Sequence, residues 1–145
     1  SEADYARYVG DREYVSVVFG QSYAVMRHAK AAVVNSGTAS LECALIGTPQ
    51  VVAYKGAEIN FLIAKSIIKI RYISLGNLIL DRICFRELLQ YYFTPGNVLN
   101  EVRRMIEDED YRSDMLAGYQ EIRDALGGEG ASAAVARAMI EELRK

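Results

Sequence analysis

Short apolar runs rich in β-branched and aromatic residues alternate with amphipathic stretches through the first part of the chain, and helical spacing dominates the rest. Tyr14-Val-Ser-Val-Val-Phe19, closed by Gly20, predicts a strand. Ser22 is placed to cap a helix reaching about Lys30, with Ala24, Val25 and Met26 as apolar members. Ala31–Val34 is a second apolar run, interrupted at Asn35-Ser36-Gly37. Thr38–Ile46 predicts a helix with Leu41, Ala44 and Leu45 facing inward and Gly47 ending it. After Pro49, Gln50–Tyr54 predicts another strand, ended by Lys55-Gly56. This alternation is the signature of right-handed βαβ units and a parallel sheet. The expected fold class is therefore α/β, doubly wound and Rossmann-like. Uninterrupted pairs such as Val51-Val52 suit strands buried on both faces.

Beyond this region, 57–69 predicts a helix, Tyr72–Leu75 a short strand, Asn77–Arg82 a loop and Phe85–Tyr92 a short helix. Thr94-Pro95 opens a further helix, with Thr as N-cap and Pro at the first helical position. Its charged run, Glu101–Asp110, is expected to be a solvated face. Tyr111–Leu126 predicts another helix, stopped by Gly127-Gly128, and 132–145 the last, so that about 94–145 forms a helical C-terminal portion of one domain.

Composition narrows the function. The 145 residues are 51% hydrophobic, enough for one domain with a real core. A formal net charge of −2 argues against a nucleic-acid partner bound by broad phosphate neutralisation. Cys43 and Cys84 lie far apart in apolar surroundings, as expected for reduced core thiols in the cytoplasm. With His28 the only histidine, a multi-histidine metal site is excluded, and that residue is expected to be structural or on the surface. No signal peptide is visible, and no apolar segment reaches the ~20 residues that cross a bilayer. An opening without Met, running directly into a strand, is expected of a piece of a longer protein.

The informative stretch is Val34-Asn-Ser-Gly-Thr-Ala-Ser-Leu-Glu42, where a strand turns into a helix. Ligands in open α/β sheets settle at the carboxyl ends of strands. A helix N-terminus there offers unpaired N–H groups and a positive dipole end, which suit a diphosphate. Gly37 would allow close backbone approach, and Ser36 and Thr38 would add donors. The competing reading is a plain N-cap. Glu42 is out of register for a capping box from either hydroxyl, and lies four residues after Thr38 on the same helix face. There it would accept from ribose hydroxyls or simply face solvent.

Ser36-Gly-Thr-Ala-Ser-Leu-Glu42 followed by Gly47-Thr-Pro-Gln-Val-Val-Ala-Tyr-Lys55 resembles the central signature of lipid-A-disaccharide synthases. Gly20-Gln-Ser-Tyr23, Phe61 with Ala64-Lys65, Tyr72-Ile-Ser-Leu75 leading to Asn77-Leu78, and Arg86-Glu-Leu-Leu-Gln90 extend the resemblance over about residues 14–107. It implies one half of a two-domain B-type (GT-B) glycosyltransferase of a Gram-negative bacterium, the half that binds the nucleotide. The implied reaction transfers 2,3-diacylglucosamine from its UDP donor to 2,3-diacylglucosamine 1-phosphate. Ser36, Gly37 and Thr38 would contact the diphosphate and Glu42 the ribose; Asn77 would lie near the donor, Gln21 and Ser22 would border the uracil, and Arg82 would be a cation near the phosphates. Gly76 stands where the family commonly has Pro, which is expected to loosen the loop, and Leu80-Asp-Arg82 also strays from the family pattern.

The family's base and acceptor pocket belong to the amino-terminal half, so this half is expected to be inactive alone. No DxD-type site is present, and neither an essential metal nor a cofactor is expected. The stretch 57–71 is apolar and carries Lys65, Lys69 and Arg71; it is expected either as a core helix with exposed lysines or as a partly exposed one facing the inner membrane's cytoplasmic surface, the missing half, or a second copy in a homo-oligomer. The alternatives are another UDP-GlcNAc-using GT-B glycosyltransferase or epimerase, and a non-catalytic nucleotide-binding or interaction module.

Overall fold

A computed structural model describes residues 2–10, 12–56, 71–127 and 131–144. The sequence pattern is realised most directly in the β-α-β unit formed by β1 (Ala32–Asn35), α3 (Thr38–Ile46) and β2 (Gln50–Tyr54). It is preceded by α1 (Glu2–Val9) and α2 (Ser22–His28). Gly47 ends α3 in the left-handed region at φ 95, where a Cβ would be strained. The Arg123 guanidinium donates to the carbonyls of Leu45 at 3.0 Å and Ala44 at 3.4 Å, satisfying acceptors that the end of α3 leaves open.

Downstream lie α4 (Leu75–Leu80), β3 (Glu87–Leu89), a 3-10 turn (Gln90–Tyr92), α5 (Pro95–Glu107), α6 (Glu109–Leu126) and α7 (Ala131–Leu143). The three strands form a parallel sheet in the order β1-β2-β3. β2 is buried from Gln50 to Ala53, as a central strand covered on both faces must be. Helices α3 and α5 both pack on β1 and β2, and α6 packs on α3, α4 and α5.

Several expectations are corrected. Residues 14–19 form no strand; Val15, Val17, Val18 and Phe19 are all more than a third exposed, and no described strand pairs with them. β propensity needs a partner edge to become a strand. Ser22 is the first residue of α2 rather than its cap, Gln21 holding that position without a side-chain bond, and α2 stops at His28 because Ala29 turns extended. Tyr72–Leu75 is not a strand and 77–82 is not a loop, since α4 begins at Leu75. The stretch 85–92 is a strand followed by a 3-10 turn rather than a helix. Gly76 does not loosen anything: it is buried in α4, and a Cβ there would lie 2.8 Å from two Phe85 ring carbons. The expected helix over 57–69 lies outside the described residues.

The Glu101–Asp110 run is not one solvated face. Asp108 breaks it, ending α5 and capping α6 by accepting from the Tyr111 amide at 2.9 Å. That bond holds the Asp108 carboxyl below its usual range. Glu101 is buried and accepts from the Tyr111 hydroxyl, while Arg104 stacks 3.8 Å from the Tyr111 ring centroid. As expected, Thr94 caps α5, accepting from the Asn97 amide at 3.2 Å with Pro95 following.

The core gathers Val34, Cys43, Ala44, Val51, Val52, Phe85, Leu88, Met105, Met115, Tyr119 and Ile122. Tyr119 packs edge-to-face on Phe85 and donates its hydroxyl to the Thr48 carbonyl at 3.1 Å. Burial pushes the thiols of Cys43 and Cys84 from an ordinary value near 9.0 up to about 11. The folded state therefore prefers both thiols protonated. That preference stabilises fully below pH 9 and is lost as pH rises through 11. Thermal melts are expected to fall steeply between those values, and less steeply in a Cys43→Ala variant at the same pH values.

Candidate functional site

The carboxyl end of β1 turns into α3 through Asn35, Ser36 and Gly37. Asn35 Oδ1 accepts from the Ser36 amide at 2.9 Å. Gly37 is the N-cap of α3 at φ 136 and ψ −158, backbone that side-chain-bearing residues rarely adopt. A Cβ at Gly37 would meet nothing within 4 Å, so the turn faces open space.

No side chain caps α3. The Ser36 hydroxyl turns away and donates to the Ile73 carbonyl at 3.1 Å. Ser40 closes the first turn from behind, its amide and hydroxyl both donating to the Gly37 carbonyl at 3.2 and 2.8 Å. The amides of Thr38 and Ala39 have no acceptor among the described residues. The N-cap alternative, in which Ser36 or Thr38 satisfies the helix end, is not what forms. Among the described residues the positive end of α3 is left unpaired at the carboxyl edge of a parallel strand.

Glu42 lies one turn further along α3, half-buried, with no hydrogen bond or ion pair to any described residue. A carboxylate in that position has open acceptor capacity facing the helix side on which Thr38 lies.

Behind the turn is a network that sequence reasoning did not identify. The Glu87 carboxylate on β3 accepts from the Ile73 and Ser74 amides, each at 3.0 Å, and from the Ser74 hydroxyl. Asn77 Nδ2 adds a fourth bond at 2.9 Å. Glu87 thereby fixes the entry into α4, and through Ile73 the acceptor that holds Ser36. The sequence hint was slight: a carboxylate beside Arg86 in Phe85–Leu89, a stretch that reads as part of a helix.

Of the other expected site residues, Asn77 reaches the turn only through Glu87 and Ile73, and no hydrogen bond joins Arg82, Gln21 or Ser22 to it among the described residues. Asn77 is fully buried: its Nδ2 also donates to the Phe85 carbonyl at 2.9 Å, and its Oδ1 accepts from the amides of Cys84 and Phe85 at 2.8 and 3.3 Å. Every hydrogen-bonding group of its amide is used within the protein. Arg82 pairs with Glu121 of α6 at 2.6 Å, which raises the guanidinium's affinity for its proton. It lies past the far end of α4 from Ser74, in a cleft with Cys84, Asp114 and Met115. Gln21 and Ser22 are exposed at the start of α2, and no hydrogen bond joins them to the Ser36 turn. Among the described residues no group of three or more His, Cys, Asp or Glu side chains gathers to hold a metal ion, and no helix is long and apolar enough to cross a membrane.

The lipid-A-disaccharide synthetase family profile matches residues 9–139. A lipid-A-disaccharide synthase of Acidobacterium capsulatum is 36% identical over 116 residues, which cover 80% of this chain and 29% of that protein. The Myxococcus xanthus synthase is 36% identical over 138 residues, 95% of this chain and 36% of its own length. The Trichlorobacter lovleyi synthase is 32% identical over 131 residues, 88% of this chain and 34% of that protein. The chain thus spans about a third of the length of the curated relatives it matches. Its open α/β sheet, its glycine turn and the extent of the match together make the chain a member of the lipid-A-disaccharide synthetase family.

Proposed function

We propose that this chain holds the nucleotide of the sugar donor in a lipid-A-disaccharide synthase-type glycosyltransferase. The observation that carries the reading is the uncapped N-terminus of α3, with the free amides of Thr38 and Ala39 beside the open backbone of Gly37. A diphosphate supplies the acceptors those donors lack. The same donors stabilise the negative charge that builds on a departing UDP, which is how this part of the enzyme would lower the barrier. Glu42, half-buried and without a side-chain partner among the described residues, accepts from the ribose hydroxyls. Ser36 and Asn77 serve by holding the turn in place rather than by donating to the ligand. Arg82, Gln21 and Ser22 stand outside this arrangement.

In this reading the whole protein transfers 2,3-diacylglucosamine from its UDP carrier to 2,3-diacylglucosamine 1-phosphate. The acceptor and the general base come from the remainder of the enzyme, so this chain alone performs no turnover. The acylated substrates place the work at the cytoplasmic face of the inner membrane, with residues 57–71 as the surface-binding segment.

Calorimetric titration with UDP, ADP and GDP tests the nucleotide reading. UDP is expected to bind at least tenfold more tightly than either control. Glu42→Ala is expected to abolish the preference, and Ser36→Ala to weaken binding several-fold through the loosened turn. Equal binding of all three nucleotides, or a Glu42→Ala variant indistinguishable from the parent, would sink the assignment.

A further inference from the structure

The peptide unit that joins Gly37 to Thr38 has no side chain at Gly37 to fix its orientation. Gly37 sits at φ 136 and ψ −158, and glycine moves between such conformations at little steric cost. A trans peptide is planar, with its C=O and N–H pointing in opposite directions. Whatever holds the Gly37 carbonyl therefore also aims the Thr38 amide.

Ser40 holds it. The Ser40 hydroxyl donates to the Gly37 carbonyl at 2.8 Å and the Ser40 amide donates to the same oxygen at 3.2 Å. Ser40 is fully buried and is itself anchored from the sheet, because Gln50 Nε2 at the start of β2 donates to its carbonyl at 2.8 Å. The Gly37 carbonyl is thus drawn into the first turn of α3. The Thr38 N–H, on the opposite side of the same peptide, is turned away from that turn, on an exposed residue and with no acceptor among the described residues. Turned over, this peptide would present a carbonyl oxygen where an anion has to sit. A hydrogen bond to a carbonyl also polarises its peptide and strengthens the N–H as a donor. A serine bonded three residues back along a helix is commonly a local side-chain back-bond and no more. Here the carbonyl it takes belongs to the glycine peptide whose amide faces outward.

We propose that Ser40 is a positioning residue for the nucleotide, its hydroxyl locking the Gly37–Thr38 peptide with the Thr38 amide toward the diphosphate. This rests on the reading of the Gly37 turn as the diphosphate site. Ser40 touches no ligand and acts through the peptide it holds.

Ser40→Ala removes the hydroxyl and leaves the backbone amide of residue 40 in place. The isotope-labelled parent and variant are titrated with UDP and with uridine while the Thr38 amide resonance is followed, and each is melted without ligand. The variant is expected to bind UDP about five- to tenfold more weakly and uridine within about twofold of the parent. The UDP-induced shift of the Thr38 amide proton is expected to shrink in the variant. Its ligand-free melt is expected within about 3 °C of the parent, since the better helix propensity of alanine offsets much of the lost bond. Equal weakening of UDP and uridine would make Ser40 part of the general scaffold and overturn the lock. A Thr38 amide that moves in the parent, beside a variant that behaves identically, overturns the lock alone. A parent Thr38 amide that stays still while UDP saturates the chain, or a parent that binds no UDP, overturns the diphosphate reading and the lock with it.

Discussion

Glu87→Ala is expected to lower the unfolding free energy by about 3–5 kcal/mol and to weaken UDP binding at least tenfold under conditions where the variant is still folded. The stability effect follows from what the truncation leaves behind. The amides of Ile73 and Ser74 and the side-chain amide of Asn77 all lose the carboxylate they donate to. Ser74 and Asn77 are both fully buried, so water cannot replace the carboxylate without opening the entry to α4. Against a typical domain stability of about 5–15 kcal/mol the loss is large. The binding effect runs through Ile73, whose carbonyl holds the Ser36 hydroxyl at 3.1 Å. Urea unfolding of the parent, Glu87→Ala and Glu87→Gln decides the matter. Glutamine brings one amide N–H₂ into a site lined by donors, so it should recover less than half of the loss. A Glu87→Ala variant within about 1 kcal/mol of the parent would show that the network is a bystander.

Gly118→Ala should destabilise by about 2–3 kcal/mol, and the same substitution should become neutral or stabilising once Cys84 is alanine. Gly118 lies within α6, where glycine ordinarily costs about 1 kcal/mol relative to alanine. The fold keeps it because a Cβ there would sit 2.4 Å from the Cys84 sulfur. That sulfur has little room to retreat, since Cys84 is 7% exposed and its Sγ also faces the Met115 carbonyl at 3.6 Å. Removing the sulfur vacates the volume the new methyl needs, and the helix then gains from its alanine. A thermal-melt cycle over the two single variants and the double variant reads the coupling directly. Additive effects would mean that the clash is relieved elsewhere.

The parts of the fold legible in the sequence are those whose causes are local. Thr38–Ile46, ended by Gly47, and Gln50–Tyr54 form where composition and punctuation placed them. The cap at Thr94 with Pro95 behind it is likewise decided within four residues. The Ser36-Gly37-Thr38 turn stood out as a glycine and two hydroxyls between a strand and a helix, a pattern that suits a plain N-cap as well as a ligand-facing turn. Its alternative, a side-chain cap, could be set aside only when Ser36 was found reaching 37 residues along the chain to Ile73.

What only the tertiary structure decided depends on contacts distant in sequence. Tyr14–Phe19 has the composition of a strand, but hydrogen bonds to a neighbouring edge make a strand and none is formed among the described residues. Phe85–Leu89 carries apolar residues on both sides of Glu87, which suits a helix or a buried strand equally until β2 offers its edge. Asn77 looked like a ligand contact because polar residues in apolar surroundings are conspicuous. The same conspicuousness describes a buried amide that satisfies backbone groups at Cys84 and Phe85. Gly76 read as a flexible loop residue and proved to be a close contact against Phe85. Side-chain type and spacing determined which segments could be helix, strand or turn. Which polar groups are consumed inside the protein and which remain free for a ligand was decided by three-dimensional packing, because hydrogen bonds are satisfied between neighbours in space.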